Sequence, residues 1–188
     1  MNVLCIDTSC DALTICLSVN GKVYPYKSET ARQSHSIMLL PAINELLIKA
    51  GVKLSDIDYF SAIIGPGSFT GVRIGVATVN AFGYVYGKKV IGVTSFEPFT
   101  YNAKRYTNFA IDAKHSNYYL ATLSDGKLHY NTIEGEPLPK STKILNVEKV
   151  KPQDLLGATL KKLEDDDGVV MIEPFYMRAS EAERNKAK

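Results

Sequence analysis

An apolar run, Ala62-Ile63-Ile64, passes into Gly65-Pro66-Gly67 and from there directly into Ser68-Phe69-Thr70-Gly71-Val72-Arg73-Ile74-Gly75. No other stretch of the 188 residues restricts the fold as much. A buried strand must end at this turn, because proline fixes φ and removes a ladder donor while the glycines reach dihedrals closed to other residues. Ser68 is placed to cap the helix that follows, leaving free N–H groups and the positive dipole end facing outward. Such an end suits an anion, so Gly65, Gly67 and Ser68 are candidate anion-site residues; a strand-to-helix turn with no ligand fits them equally. Spacing excludes two familiar phosphate loops. No lysine lies between Asp56 and Lys88, as a Walker A loop requires, and Gly65, Gly67 and Gly71 exceed the G-x-G-x-x-G interval by one residue.

Around this turn the chain alternates strand and helix patterns. Val3 to Ile6, Leu13 to Val19 and Lys22 to Lys27 read as strands, with a hairpin turn at Asn20-Gly21. Ser36 to Ala50 has helical spacing and a C-cap glycine at Gly51; Tyr59 to Ile64 is a strand, Thr70 to Gly87 a helix and Lys89 to Val93 a strand. A further helix is expected from Ser95 toward Lys104. This order is that of a ribonuclease-H-like half, a mixed sheet with helices packed on it. The opening then recurs: strands at Asn108 to Asp112, Tyr118 to Ser124 and Leu128 to Thr132, the last two joined by Asp125-Gly126. A strand at Lys143 to Val147, a helix from Pro152 to Leu163 and a strand at Val169 to Ile172 follow. The expectation is an α/β protein of two ribonuclease-H-like lobes, residues 1–105 and a trimmed 106–173, with a tail at 174–188.

Composition narrows the chemistry. With 45% hydrophobic and 22% charged residues the chain reads as globular, and a net charge of +2 gives no reason to expect a polyanionic partner. Cys5, Cys10 and Cys16 form no C-x-x-C pair and read as buried thiols. The histidines are His35, His115 and His129, too far apart for a metal pair on one helix face, so no metal or cofactor is expected. Gly67-Ser68-Phe69 is not a G-x-S-x-G elbow, which disfavours a hydrolase. Glu164-Asp165-Asp166-Asp167 reads as a solvated helix end. The start lacks a signal sequence and the Thr70 helix carries Arg73 and Asn80, so a cytoplasmic protein without a membrane span is expected.

Two lobes of this kind also describe the actin-like ATPase and sugar kinase superfamily, where each lobe contributes a phosphate hairpin. Asp7, Thr8 and Ser9 sit where the first would turn: Asp7 to hold hydrated magnesium, the hydroxyls to meet phosphate. An ordinary Asx-type turn suits the same residues, and no glycine lies between Met1 and Asn20 for close backbone approach. The helices offer contact surfaces instead. Gly71, Gly75 and Gly83 fall on one row of four-residue spacing, and Leu39 and Ile43 belong to an apolar stripe on the preceding helix. Both helices exceed the apolar content that one sheet face needs, so these residues are expected at a contact between chains, with burial inside the chain as the competing reading. Tyr176 and Arg178 are expected to dock on the body or a partner, Arg178 pairing a carboxylate or phosphate.

The segment at Gly65 closely resembles the GPGSFTG-[LV]-R-I-G signature of the TsaB (YeaZ) family. Ile6-Asp7-Thr8-Ser9, His35-Ser36, and Pro174-Phe175-Tyr176-Met177-Arg178 with Glu181-Ala182-Glu183 are similar to the family pattern too. At Asp112-Ala113 the likeness thins, since Lys114, Ser116 and Asn117 replace an arginine, a glycine and a glutamate. The resemblance implies a non-catalytic subunit of the bacterial machinery that makes threonylcarbamoyladenosine in tRNA. It would pair with the TsaD transferase, be joined by the ATPase TsaE and contact tRNA only indirectly or weakly, while pairing with a second copy when alone is left open by the sequence. The runners-up are a self-standing phosphotransferase of the sugar kinase type and a metallopeptidase, the latter lacking ligands.

Overall fold

The computed structural model describes residues 1–29, 34–103, 107–165 and 168–178. Two mixed sheets make up its frame. The first has the order β3-β2-β1-β4-β5, from β1 (Asn2–Asp7), β2 (Leu13–Val19), β3 (Lys22–Ser28), β4 (Tyr59–Gly65) and β5 (Lys89–Thr94). β1 and β2 are antiparallel, with Cys5 opposite Cys16, whereas β4 runs parallel to both β1 and β5. The second sheet has the order β8-β7-β6-β9, from β6 (Thr107–Asp112), β7 (Asn117–Ser124), β8 (Lys127–Glu134) and β9 (Lys143–Leu145). Its strand order repeats that of the first with the fifth strand missing. The trimming also falls between the third and fourth strands, where 135–142 takes the place of a helix.

Strand periodicity decides where the core lies. Leu4 and Ile6 face one side of the first sheet, against α1 (His35–Ala50) and α2 (Phe69–Tyr86). Val3 and Cys5 face the other, against Leu155, Leu156 and Ala158 of α4 (Pro152–Glu164). With both faces covered, β1 and β4 read as continuous apolar runs. α4 follows the second sheet in sequence yet packs on the first, so the expected boundary at residue 106 does not separate two independent cores. A third cluster joins the lobes, with Phe96 packed against Phe109, Ile111, Ala121, Leu123 and Leu145.

Most expected elements are present within a residue or two. Asn20 and Gly21 both take positive φ, as the hairpin turn requires, and Gly51 ends α1 in the left-handed conformation. Three differ. The helix expected from Ser95 is only α3 (Glu97–Thr100); Glu97 turns back to accept the Thr94 N–H, and the Lys104 end lies outside the described residues. β9 stops at Leu145 because the Asn146 side chain accepts the Glu148 N–H at 3.1 Å and starts a 3-10 turn, Val147–Lys149. The strand expected at Val169 to Ile172 is a single antiparallel bridge, Val90 to Val169, since Ile172 is taken by the Asn80 amide instead. Asp166, Asp167 and residues 179–188, including Glu181, Ala182 and Glu183, lie outside the described residues.

Candidate functional site

A cavity of about 630 Å³ opens between the lobes. One wall is the β1–β2 turn with the start of α2, and the other is the β6–β7 turn with Val147 and Glu148. Of the anion-site candidates, Ser9, Gly67 and Ser68 line it, while Asp7, Thr8 and Gly65 do not. Their polar groups are engaged within the chain. Asp7 accepts the Ser9 N–H at 2.8 Å and the Ser9 hydroxyl at 2.7 Å, closing an Asx-type turn. Burial pushes the Asp7 carboxyl above its ordinary range, and the two Ser9 donors only partly oppose that. Thr8 donates its hydroxyl to the Gly71 carbonyl at 2.7 Å. Ser68 donates its N–H to the Ser9 carbonyl at 2.7 Å, and its Oγ accepts the Gly71 N–H at 3.2 Å as the helix cap. The turn expected to present donors to an anion therefore spends one, the Ser68 N–H, on the neighbouring strand turn and another, the Gly71 N–H, on its own cap.

Glu148 reaches from the second wall to the first. Its carboxylate accepts the N–H groups of Asp11 at 2.9 Å and Ala12 at 2.8 Å. Buried His35 lies behind, with Nε2 3.3 Å from the Ala12 carbonyl. Across the cavity, Lys114, His115 and Ser116 all take left-handed φ, between 55° and 65°, in a turn where Asp112 accepts the Lys114 N–H. Among the described residues no group of three histidine, cysteine, aspartate or glutamate side chains could hold a metal ion. No described helix is long and apolar enough to cross a membrane.

The tail crosses between the lobes. Asn80 on α2 clamps Ile172, donating to its carbonyl at 2.8 Å and accepting its N–H at 3.0 Å. Phe175 donates its N–H to Ile64 at 2.7 Å and meets Tyr130 of β8 edge-on, with ring centres 5.0 Å apart. Gly65 has a positive φ, and a Cβ there would lie 2.8 Å from the Phe175 carbonyl oxygen, so its freedom serves the tail. Tyr176 stacks on Phe69 at 4.5 Å and accepts a hydrogen bond from Arg73 Nε at 2.7 Å. Arg178 brings its Nε to 3.1 Å from a Glu134 carboxylate oxygen, a charge contact without the alignment of a hydrogen bond. Both tail residues thus dock on the body, and Arg178 pairs with a carboxylate.

The helix faces are the reverse of what glycine spacing suggested. Gly71, Gly75 and Gly83 point at the sheet. A Cβ would lie 2.7 Å from Thr8 Oγ1 at Gly75 and 2.5 Å from Val90 Cγ1 at Gly83, and at Gly71 it would overlap the Thr8 carbonyl oxygen. Leu39 and Ile43 are likewise buried in the chain's own core. The small residues that α2 leaves outside are Ala77 and Ala81, on one stripe with Arg73 and Tyr84. α1 exposes Ile37, Leu40 and Ile48, and α2 ends in exposed Tyr84 and Val85. A groove of about 460 Å³ lies between the helices, lined by Leu40, Ile48, Val52 and Phe82 among others.

Comparison with known proteins places this frame. The family described as TsaD: tRNA N6-adenosine threonylcarbamoyltransferase matches residues 20–155. A protein of Buchnera aphidicola named tRNA threonylcarbamoyladenosine biosynthesis protein TsaB is 26% identical over 175 residues, 89% of this chain and 83% of that protein. The chain belongs to the TsaB (YeaZ) family. The protein of the same name from Escherichia coli is 32% identical over 126 residues, and the match spans 64% of this chain but only 54% of that protein. In structure, a Pseudomonas aeruginosa protein described as similar to peptidase YEAZ superposes with a TM-score of 0.76 at 24% identity, covering 94% of this chain and 99% of that one. The fold is therefore the family's two-lobed α/β fold. Family motifs led to the β1–β2 turn and to the tail, but not to Glu148, Asn80 or the alanine stripe. Arg73 was the available signal for that stripe: the one charge on an apolar helix marks its outward side.

Proposed function

We propose that this chain is a non-catalytic subunit in threonylcarbamoyladenosine modification of tRNA, pairing with the TsaD transferase through the outer face of α1 and α2, with TsaE joining the pair. The observation that carries the reading is the number of large apolar side chains left exposed on the two outer helices, Ile37, Leu40 and Ile48 of α1 and Tyr84 and Val85 of α2. Ala77 and Ala81 keep that face low enough for a partner helix to approach closely. Family membership supports the pathway. The engaged state of Asp7, Thr8 and Ser68 supports a role without turnover, and it disfavours the phosphotransferase alternative.

The test is calorimetric titration of TsaD with the parent chain and with Ala77→Glu. A carboxylate pressed into an apolar helix contact loses hydration without gaining a partner. The affinity should fall at least about tenfold, the equivalent of about 1.4 kcal/mol. Unchanged affinity would move the interface off α2. ATP hydrolysis by the isolated chain that is lost in Asp7→Ala would overturn the non-catalytic reading.

A further inference from the structure

Glu148 fills a two-amide cradle on the first lobe. Its side chain leaves the 3-10 turn after β9 and reaches the first lobe, where its two oxygens each accept one N–H, Oε1 from Asp11 and Oε2 from Ala12. Two successive amides converging on two oxygens of one group form the donor pair by which backbone turns hold carboxylates and phosphates. The carboxylate is aimed from its own side as well. Asn146 accepts the Glu148 N–H, and Lys27 Nζ donates to the Glu148 carbonyl at 2.6 Å and to the Val150 carbonyl at 3.0 Å. Asp11 and Glu148 both line the cavity, so this end of it carries two carboxylates and repels a third anion.

We propose that the Asp11–Ala12 turn is an oxyanion site whose resident ligand is the Glu148 carboxylate, and that removing this carboxylate opens the site to inorganic phosphate. In the parent chain the carboxylate both excludes phosphate and ties the second lobe to the first. The inference does not rest on the TsaD pairing, because it concerns the isolated chain.

Glu148→Ala and the parent chain would be melted in rising sodium phosphate, with sodium chloride at matched ionic strength as the reference. The variant should melt earlier than the parent and recover saturably with phosphate, by about 3–6 °C at ten times the dissociation constant, while the parent follows chloride. Formate, the smallest carboxylate, should act in the same direction. Should Glu148→Ala not fold, Glu148→Ser serves: its short polar side chain does not reach Asp11 or Ala12 and leaves both N–H groups for phosphate. In amide NMR spectra of either variant the Asp11 and Ala12 resonances should shift on adding phosphate and stay fixed in the parent. Resonances that ignore phosphate in the variant, or a parent that responds equally, would overturn the proposal and leave Glu148 as a lobe tie alone.

Discussion

Replacing Gly83 by leucine separates the two faces of α2. A Cβ at Gly83 would stand 2.5 Å from Val90 Cγ1 and 3.0 Å from the Lys88 carbonyl oxygen, against 3.5–4.0 Å for an ordinary carbon contact. Val90 is fully buried, β-branched, and held by paired hydrogen bonds to Val169, so it has little room to yield. Relief must come from lifting the end of α2 by about 1 Å, and three further carbons must then be fitted beyond Cβ. Overpacking of this kind costs about 1–3 kcal/mol, and a leucine should lie at or above the upper end. Leaving glycine in a helix interior returns about 0.8 kcal/mol. The net loss is about 2 kcal/mol, which for a chain of this size lowers the melting temperature by about 4–8 °C. Ala77→Glu, on the outward stripe, meets nothing and should stay within about 0.5 kcal/mol of the parent. Differential scanning calorimetry of both variants is the assay. If Gly83→Leu melts with the parent, or Ala77→Glu loses as much, the assignment of inner and outer faces is refuted.

Two further outcomes follow from buried polar groups. Asn80→Ala removes both hydrogen bonds to Ile172 and should speed amide hydrogen exchange from Ile172 to Phe175 at least about tenfold, with β1 unaffected. Burial raises the thiols of Cys5, Cys10 and Cys16, the last to about 12, so the folded chain keeps protons that the unfolded chain loses near pH 8.5. Their contribution to stability is whole below about pH 8.5 and declines as the pH rises toward the folded values. Denaturant midpoints at pH 7.5 and 10 should show that fall, and it should be smaller in Cys16→Ala.

The strands and long helices were legible because each carries a local signal: alternation, an Asn-Gly turn, a C-cap glycine. What failed locally was overruled by a partner distant in sequence. Ile172 leaves the strand pattern for Asn80, 92 residues away, and β9 is cut short by a turn whose product is the contact between Glu148 and Ala12, 136 residues away. Glycine spacing on α2 was read correctly as close approach, but spacing cannot say whether the approaching group is the chain's own strand or another molecule. Ser116 is a case in which departure from the family pattern carries physical meaning. It stands at φ 57, the left-handed region, where the pattern has glycine, so the strain was readable from a single substitution.

The outer helix face also bears on what the chain does without its partner. Ile37, Leu40, Ile48, Tyr84 and Val85 are each between about half and nine-tenths exposed. Burying such side chains completely yields about 1.5–3 kcal/mol apiece, so covering all five yields roughly 5–10 kcal/mol after allowing for what is already hidden. Association itself costs about 4–15 kcal/mol before any gain appears. The apolar face alone therefore sustains at most weak self-association, and a tight complex needs polar complementarity around its rim. Arg73, held against Tyr176 on the outward stripe of α2, is a cation that the stripe of a second copy meets with no carboxylate and that a heterologous partner can answer with one, which favours the mixed pair over the homodimer.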